Sequence, residues 1–190
     1  DDRITGKLDE FSPNSTKIHV DIDPSSINKN VVVDIPIVGD AGHVLEDMIR
    51  LWRSKALNID AGELNGWWEQ INQWRGVDCL GFTQEKGEAE IRPQHALKRL
   101  QELTQHRDDV LISTEVGQHQ MWAAQYLGFE KPNRWMTSGG LGTMGYGFPA
   151  AIGMQIGNPG ACCIDVAGEA SILMNIQELS TAVQYRLPVK

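Results

Sequence analysis

Residues 17–23, Lys-Ile-His-Val-Asp-Ile-Asp, alternate strictly between apolar and polar, with Ile18, Val20 and Ile22 on one side. That period of two predicts a strand with one buried face. Pro24 and the serines after it stop the strand, and residues 31–38 form a second β-rich run ended by Gly39 and Asp40. Val44, Leu45, Met48, Ile49 and Trp52 then fall on one stripe of a predicted helix. Residues 64–74 read as a further helical stretch, rich in tryptophan.

Residues 75–92 have no clear period and contain Gly76, Gly81, Gly87 and a run of charges, as an inter-domain connection would. Pro93 opens the next helix, at the position where its missing N–H matters least. Ala96, Leu97, Leu100 and Leu103 form its expected buried stripe. A strand is predicted over 109–114, a helix through 121–126 and, after a glycine-rich run, a helix toward Met154. A buried strand over 161–166 and a long helix over 172–185 complete the pattern. Strands alternating with helices predict an α/β chain whose parallel sheets are covered on both faces.

Composition narrows the partners. With 190 residues the chain suits one large domain or two modest ones, and 41% hydrophobic with 22% charged residues is ordinary for a globular protein. The formal charge of −8 and the lack of any Lys/Arg cluster argue against nucleic acid or an anionic membrane as partner. A phosphorylated cofactor remains possible, because backbone N–H groups and a metal bind phosphate locally. Three cysteines (Cys79 and the adjacent Cys162 and Cys163), no CxxC spacing and no signal peptide point to a reducing compartment, with the adjacent pair packed in a core. No apolar stretch reaches the length of a bilayer span. The first residue is not Met and the last ones read as the start of a strand, so a cut segment of a longer chain is expected.

Gly140-Leu-Gly142-Thr-Met-Gly145 matches the dinucleotide fingerprint G-x-G-x-x-G, with Asp165 at the spacing of a ribose-binding acid. The fingerprint requires a hydrophobic strand just before it, and residues 131–138 make a poor one. Asp165 is also followed by a strand-to-helix turn of its own at Gly168-Glu-Ala-Ser171. Three loops together read better: Glu115-Val-Gly-Gln-His-Gln-Met-Trp122, the glycine run of residues 138–147, and Ala167–Ser171. Each lies where a strand or turn meets a helix, the place where parallel sheets bind ligands.

These three motifs resemble the thiamin-diphosphate domain of the acetolactate (acetohydroxyacid) synthase family, in its large catalytic subunit. The similarity continues through Asn175-Ile-Gln-Glu-Leu-Ser180 and covers residues 93–190. It implies that Val116, Gly117, Gln118 and His119 line the diphosphate side of the cofactor, and that Gly142 and Met144 sit at its centre. In the family this methionine keeps the cofactor bent; on its own, Met144 also reads as simple core filling. Glu169 stands where the family has an aspartate that coordinates magnesium, a cation that prefers carboxylate and phosphate oxygens. The extra methylene moves the carboxylate outward by roughly 1.5 Å, so weaker metal and cofactor binding is expected. Ala170 and Ser171 are expected to offer backbone N–H groups.

The first 40 residues resemble the FAD-binding middle domain of the same family, with Asp1, Arg3, Ile4, Asp21, Ile22 and Asp40 bordering a structural flavin. Taken alone, an acid such as Asp21 is more often a turn former than a ribose ligand. The implied architecture is α/β, with three-layer, parallel-sheet domains. Residues 1–55 are the C-terminal part of a Rossmann-like middle domain, 56–92 a connection, and 93–190 the first part of a thiamin-diphosphate-binding domain.

The implied activity is that of a transferase. Two pyruvates, or pyruvate and 2-ketobutyrate, are joined with loss of carbon dioxide to 2-acetolactate or 2-aceto-2-hydroxybutyrate, toward valine, leucine and isoleucine. Thiamin diphosphate, Mg2+ and FAD are the expected cofactors. A homodimer or larger oligomer with a small regulatory subunit, in a bacterial cytoplasm, is the expected setting. The family's activating glutamate is expected before Asp1 and its second metal ligand after Lys190, so no catalytic residue falls inside the segment, which alone is expected to be inactive. A related thiamin-diphosphate carboligase, a pyruvate oxidase and an inactive cofactor- or partner-binding module remain as alternatives.

Overall fold

A computed structural model describes residues 5–55 and 60–190. The chain divides into two units, Asp1–Val77 and Asp78–Lys190. In the first, β1 (Ile18–Asp21) and β2 (Ile35–Val38) pair in parallel, with Ile18 opposite Ile35 and Asp21 opposite Val38. Helices α1 (Ala41–Ser54) and α2 (Ala61–Arg75) follow. Each starts at an aspartate, Asp40 or Asp60, whose carboxylate accepts a first-turn amide N–H that the helix itself cannot satisfy.

The buried face expected on β1 is not found. Ile18 is 58% exposed and Ile22 71%, and of the three apolar residues only Val20 is half-buried. Alternation fixes which side chains share a face, but burial needs a second layer over that face. Along α1, Leu45, Met48, Ile49 and Trp52 are likewise exposed and only Val44 is half-buried. Among the described residues of this unit none is fully buried.

The second unit holds α3 (Pro93–Thr104), β3 (Val110–Thr114), α4 (Gln118–Tyr126), β4 (Trp135–Met136), α5 (Gly147–Gly157), β5 (Cys162–Val166), α6 (Glu169–Ile172) and α7 (Leu179–Gln184). The strands form a parallel sheet in the order β4-β3-β5. Side chains of the central strand alternate between two cores. Ile112 packs with Leu97, Ala123 and Leu127 from α3 and α4, while Leu111 packs with Ala151, Met154 and Cys163 on the α5 side. Helices therefore cover both faces, giving the expected three layers. Cys163 is fully buried and Cys162 half-buried, whereas Cys79 is exposed.

Two expectations need correction here. On α3 only Leu97 is buried and Leu100 half-buried; Ala96 and Leu103 face outward, because the helix meets its neighbours along a narrow seam. The long helix expected over 172–185 is broken into α6, a 3-10 segment (Leu173–Glu178) and α7. The break falls at Asn175 (φ −136°, ψ 30°), whose amide donates to the Gly145 carbonyl at 2.7 Å. Asparagine readily trades helical geometry for such a side-chain bond.

Candidate functional site

Beyond the C-terminal ends of β3 and β5, three loops meet beside the start of α3 (Pro93, Ala96 and Leu97) around a cleft of about 520 Å³. Val116–His119 and Trp122 form one wall, Met144 a second and Val166–Ser171 a third. Seven of the eight residues expected around thiamin diphosphate, together with Glu169, thus line one cavity. The eighth, Gly142, lies at its edge, where a Cβ would stand 3.9 Å from Val116 Cγ1.

Two helices start at this cleft, α4 at Gln118 and α6 at Glu169, and neither has a side-chain cap. Their first-turn amides give the cleft donors for an anion. Gly117 enters α4 at φ +153° and ψ −162°, a conformation open essentially to glycine alone.

The His119 ring fills the space between the first and third loops. A Cβ on Gly168 would stand 2.6 Å from its Nδ1, and one on Gly117 2.9 Å from its Cε1. The ring therefore explains why glycine occupies position 168. Burial holds the imidazole below the ordinary histidine range, against a hydrogen bond from the ring to the Glu115 backbone carbonyl and the charges of Glu115 and Glu169. Its Nε2 is buried without a protein partner, as expected of a group that a ligand satisfies.

Glu169 is exposed in the third wall. Among the described residues no three His, Cys, Asp or Glu side chains cluster as a metal cage. Magnesium does not require one, since it is commonly held by one or two carboxylates, phosphate oxygens and water. The walls therefore fit a magnesium diphosphate: uncapped helix starts, an orphaned imidazole nitrogen and one carboxylate.

Sequence reasoning overlooked the polar layer beneath the cleft. Glu115, quoted only as the start of a motif, is fully buried. Its carboxylate accepts from the Gly145 amide at 2.8 Å, the Phe148 amide at 2.9 Å and the Ser171 hydroxyl at 2.8 Å. Ser171, expected only for its backbone N–H, contributes this hydroxyl. Gln120 Nε2 donates to Thr137 Oγ1 at 2.7 Å, and Thr137 pairs with Thr114 at 2.6 Å, so α4 is tied to the end of β4.

Asp165 lies inside β5 rather than at a ribose position. One of its oxygens accepts from Ser113 Oγ at 3.0 Å and the other is buried without a partner. Burial pushes its pKa up to about 7; the Ser113 bond opposes the rise and the Glu115 charge adds to it. An acid inside the apolar run 161–166 was the visible signal of this layer.

In the first unit, Asp1, Arg3 and Ile4 of the expected flavin set lie outside the described residues. Asp21, Ile22 and Asp40 all fall at the C-terminal end of the β1–β2 pair, where the Gly39 amide donates to the Asp21 carbonyl at 2.9 Å. Asp21 accepts the Asp23 amide at 2.8 Å and lines a cavity of about 860 Å³ together with Lys17, His19 and Lys29. Ile22 is exposed, and Asp40 caps α1 through the His43 amide.

Comparison with known proteins matches the two units in chain order. Residues 1–48 match the profile of the "Thiamine pyrophosphate enzyme, central domain" and residues 115–190 that of the "Thiamine pyrophosphate enzyme, C-terminal TPP binding domain". The acetolactate synthase isozyme 3 large subunit of Escherichia coli (strain K12) is 49% identical over 189 residues, covering 100% of this chain and 32% of that protein. The acetolactate synthase large subunit of Haemophilus influenzae is 47% identical with the same coverage. That of Porphyra purpurea is 44% identical, over 100% of this chain and 31% of that protein. The chain thus spans about a third of the length of these relatives. With both profiles in order and the likeness running from end to end, the chain belongs to the thiamine pyrophosphate enzymes, in the acetolactate synthase large-subunit family.

Proposed function

We propose that this chain is the cofactor-holding part of an acetolactate synthase large subunit, which joins two 2-keto acids with loss of carbon dioxide. The observation that carries the reading is the convergence of three separated loops on one cleft at the ends of parallel strands. Bound thiamin diphosphate supplies the electron sink that such a joining requires.

The residues divide the work of holding it. The amides that open α4 and α6 receive the diphosphate, with Val116, Gly117, Gln118, Ala170 and Ser171 around it. His119, lacking a protein partner at Nε2, packs between the first and third loops and offers that nitrogen to the cofactor. Glu169 provides the carboxylate for Mg2+, and Met144, with Gly142 beside it, faces the body of the cofactor from the second wall. In the first unit, Asp21, Ile22 and Asp40 border a structural FAD. Residues 1–55 are then part of the middle domain, 56–92 a connection and 93–190 part of the cofactor domain. Pyruvate and 2-ketobutyrate as substrates, an oligomer of large subunits and a small regulatory subunit complete the reading, supported by the names of the relatives. So does a cytoplasmic location; among the described residues no helix is long and apolar enough to cross a membrane.

Calorimetric titration of magnesium and thiamin diphosphate into a complete synthase carrying this segment tests the reading. Saturable binding is expected, and Glu169→Asp is expected to tighten it about tenfold, as changes around a metal commonly do. No binding by the unaltered protein would sink the cofactor assignment, and an unchanged affinity in Glu169→Asp would sink the metal assignment alone. Glu169 also favours a second reading, a module that binds cofactor without turning it over. Tight binding with no acetolactate formed would select that reading.

A further inference from the structure

The glycine run reaches the cleft only through its last residues, and what fixes those residues comes from elsewhere in the chain. At its front the loop closes on itself, with the Gly142 amide donating to the Ser138 carbonyl at 3.1 Å and the Thr143 amide to Ser138 Oγ at 2.9 Å. After Met144 it is tied outward. The Gly145 amide donates to Glu115 Oε2 at 2.8 Å, and the Gly145 carbonyl accepts from Asn175 Nδ2 at 2.7 Å. Gly145 has φ +83°, and a Cβ there would stand 2.7 Å from Asn175 Nδ2 and 2.8 Å from Met174 Cβ. Met144 thus stands between two anchors, one local and one supplied by residues distant in the chain.

Glu115 is the centre of the distant anchor. Its second oxygen takes the Phe148 amide at 2.9 Å, in the first turn of α5, which has no cap of its own. The Ser171 hydroxyl donates to Oε2 at 2.8 Å and accepts the Val116 amide at 3.2 Å. One carboxylate with zero exposure therefore joins the end of β3, the glycine run and α6, the three loop walls of the cleft. A carboxylate at a helix N-terminus that accepts several N–H groups is held by charge-assisted bonds, and burial strengthens them. Glu115 itself does not line the cleft. Met144, 41% exposed, does.

We propose that Glu115 is a positioning residue: its carboxylate fixes the backbone that directly follows Met144, so that the methionine meets the cofactor in one preset place. This inference rests on the thiamin-diphosphate reading above. Glutamine is nearly the same size but keeps a single accepting oxygen, and its NH2 faces N–H or O–H donors at the other. Glu115→Gln should release the glycine run without emptying the site.

The test uses a complete synthase carrying this segment and two readouts. Without cofactor, hydrogen exchange in Glu115→Gln should quicken at least tenfold at the Gly145 and Phe148 amides and stay unchanged in β5. With cofactor, titration should show binding weakened about tenfold, and turnover at saturating cofactor should fall by a similar factor. Met144→Ala should lower turnover too, and adding Glu115→Gln to it should lower turnover little further, because both act on one contact. Unaltered exchange at Gly145, or turnover losses that simply multiply, would overturn the proposal. If Glu115→Gln does not fold, Ser171→Ala removes the hydroxyl that donates to Glu115 and accepts from the Val116 and Gly145 amides. A folded Ser171→Ala protein should show the same faster exchange and the same non-additivity with Met144→Ala, and normal exchange there would equally overturn the proposal. Should the unaltered protein bind no thiamin diphosphate, the cofactor reading fails and exchange alone decides the hold on Met144.

Discussion

Both units carry parallel strands that end in acidic residues, yet the acids behave differently. At the end of β3, Glu115 is fully buried and holds three donors from two other loops. At the end of β1, Asp21 is half-buried, accepts an amide two residues away and has His19 Nε2 at 3.7 Å. The strand β3 has neighbours on both sides and helices on both faces, whereas β1 has one strand partner and no fully buried residue around it. A strand end becomes a fixed polar site where packed layers exclude water, since desolvation makes each bond stronger and each missing partner more costly.

The sharpest way to break this contrast is to cut the same side chain in both units. Ile112→Ala, at a position 2% exposed, should destabilise the second unit by about 3 kcal/mol. Ile49→Ala on the exposed face of α1 should change stability by less than about 0.5 kcal/mol. Hydrogen exchange, which reads each unit separately, checks both; equal effects would erase the distinction.

A more gradual effect is a pH dependence of the second unit. Asp165 has its folded pKa raised to about 7, so the folded state binds the extra proton between the ordinary carboxylate range and that value. Stability should therefore fall by up to roughly 1.4 kcal/mol per pH unit as pH rises through this window, and level off above it. Asp165→Asn should remove the slope, measured by denaturant midpoints at pH 5, 6, 7 and 8. His119, held low by burial, acts the opposite way: its contribution is lost as pH falls below the ordinary histidine range. That remainder should persist in Asp165→Asn. The smallest effect belongs to the first unit. Gly66 lies within α2 with nothing within 4 Å of an added Cβ, so Gly66→Ala should stabilise the helix by about 0.5–1 kcal/mol, seen as slower exchange there.

The sequence was most legible where a local pattern coincides with a layer. Residues 109–114 read as a strand and the apolar run 161–166 as a buried one, and both hold, because helices do cover that sheet. On β1 and α1 the same kind of pattern gave the elements but not their exposure, which depends on what lies opposite. The break at Asn175 was invisible because its cause is a carbonyl thirty residues earlier. The three motifs located seven of the eight expected cofactor residues in one cleft. Glu115 was missed because two of its three partners are backbone amides, which no residue pattern displays.

The Glu115 cluster also bears on the order in which the second unit assembles. Its carboxylate meets Gly145 across a separation of 30 residues and Ser171 across 56. A growing chain that has just released β3 has nothing with which to satisfy that charge, so the strand end must stay hydrated until α6 has emerged. Pairing of β3 with β5 and closure of the three walls then become one late cooperative event, slowed by the long loops that must close first. Synthesis halted before Ser171 should leave no partial pocket, only a strand whose end is still in water.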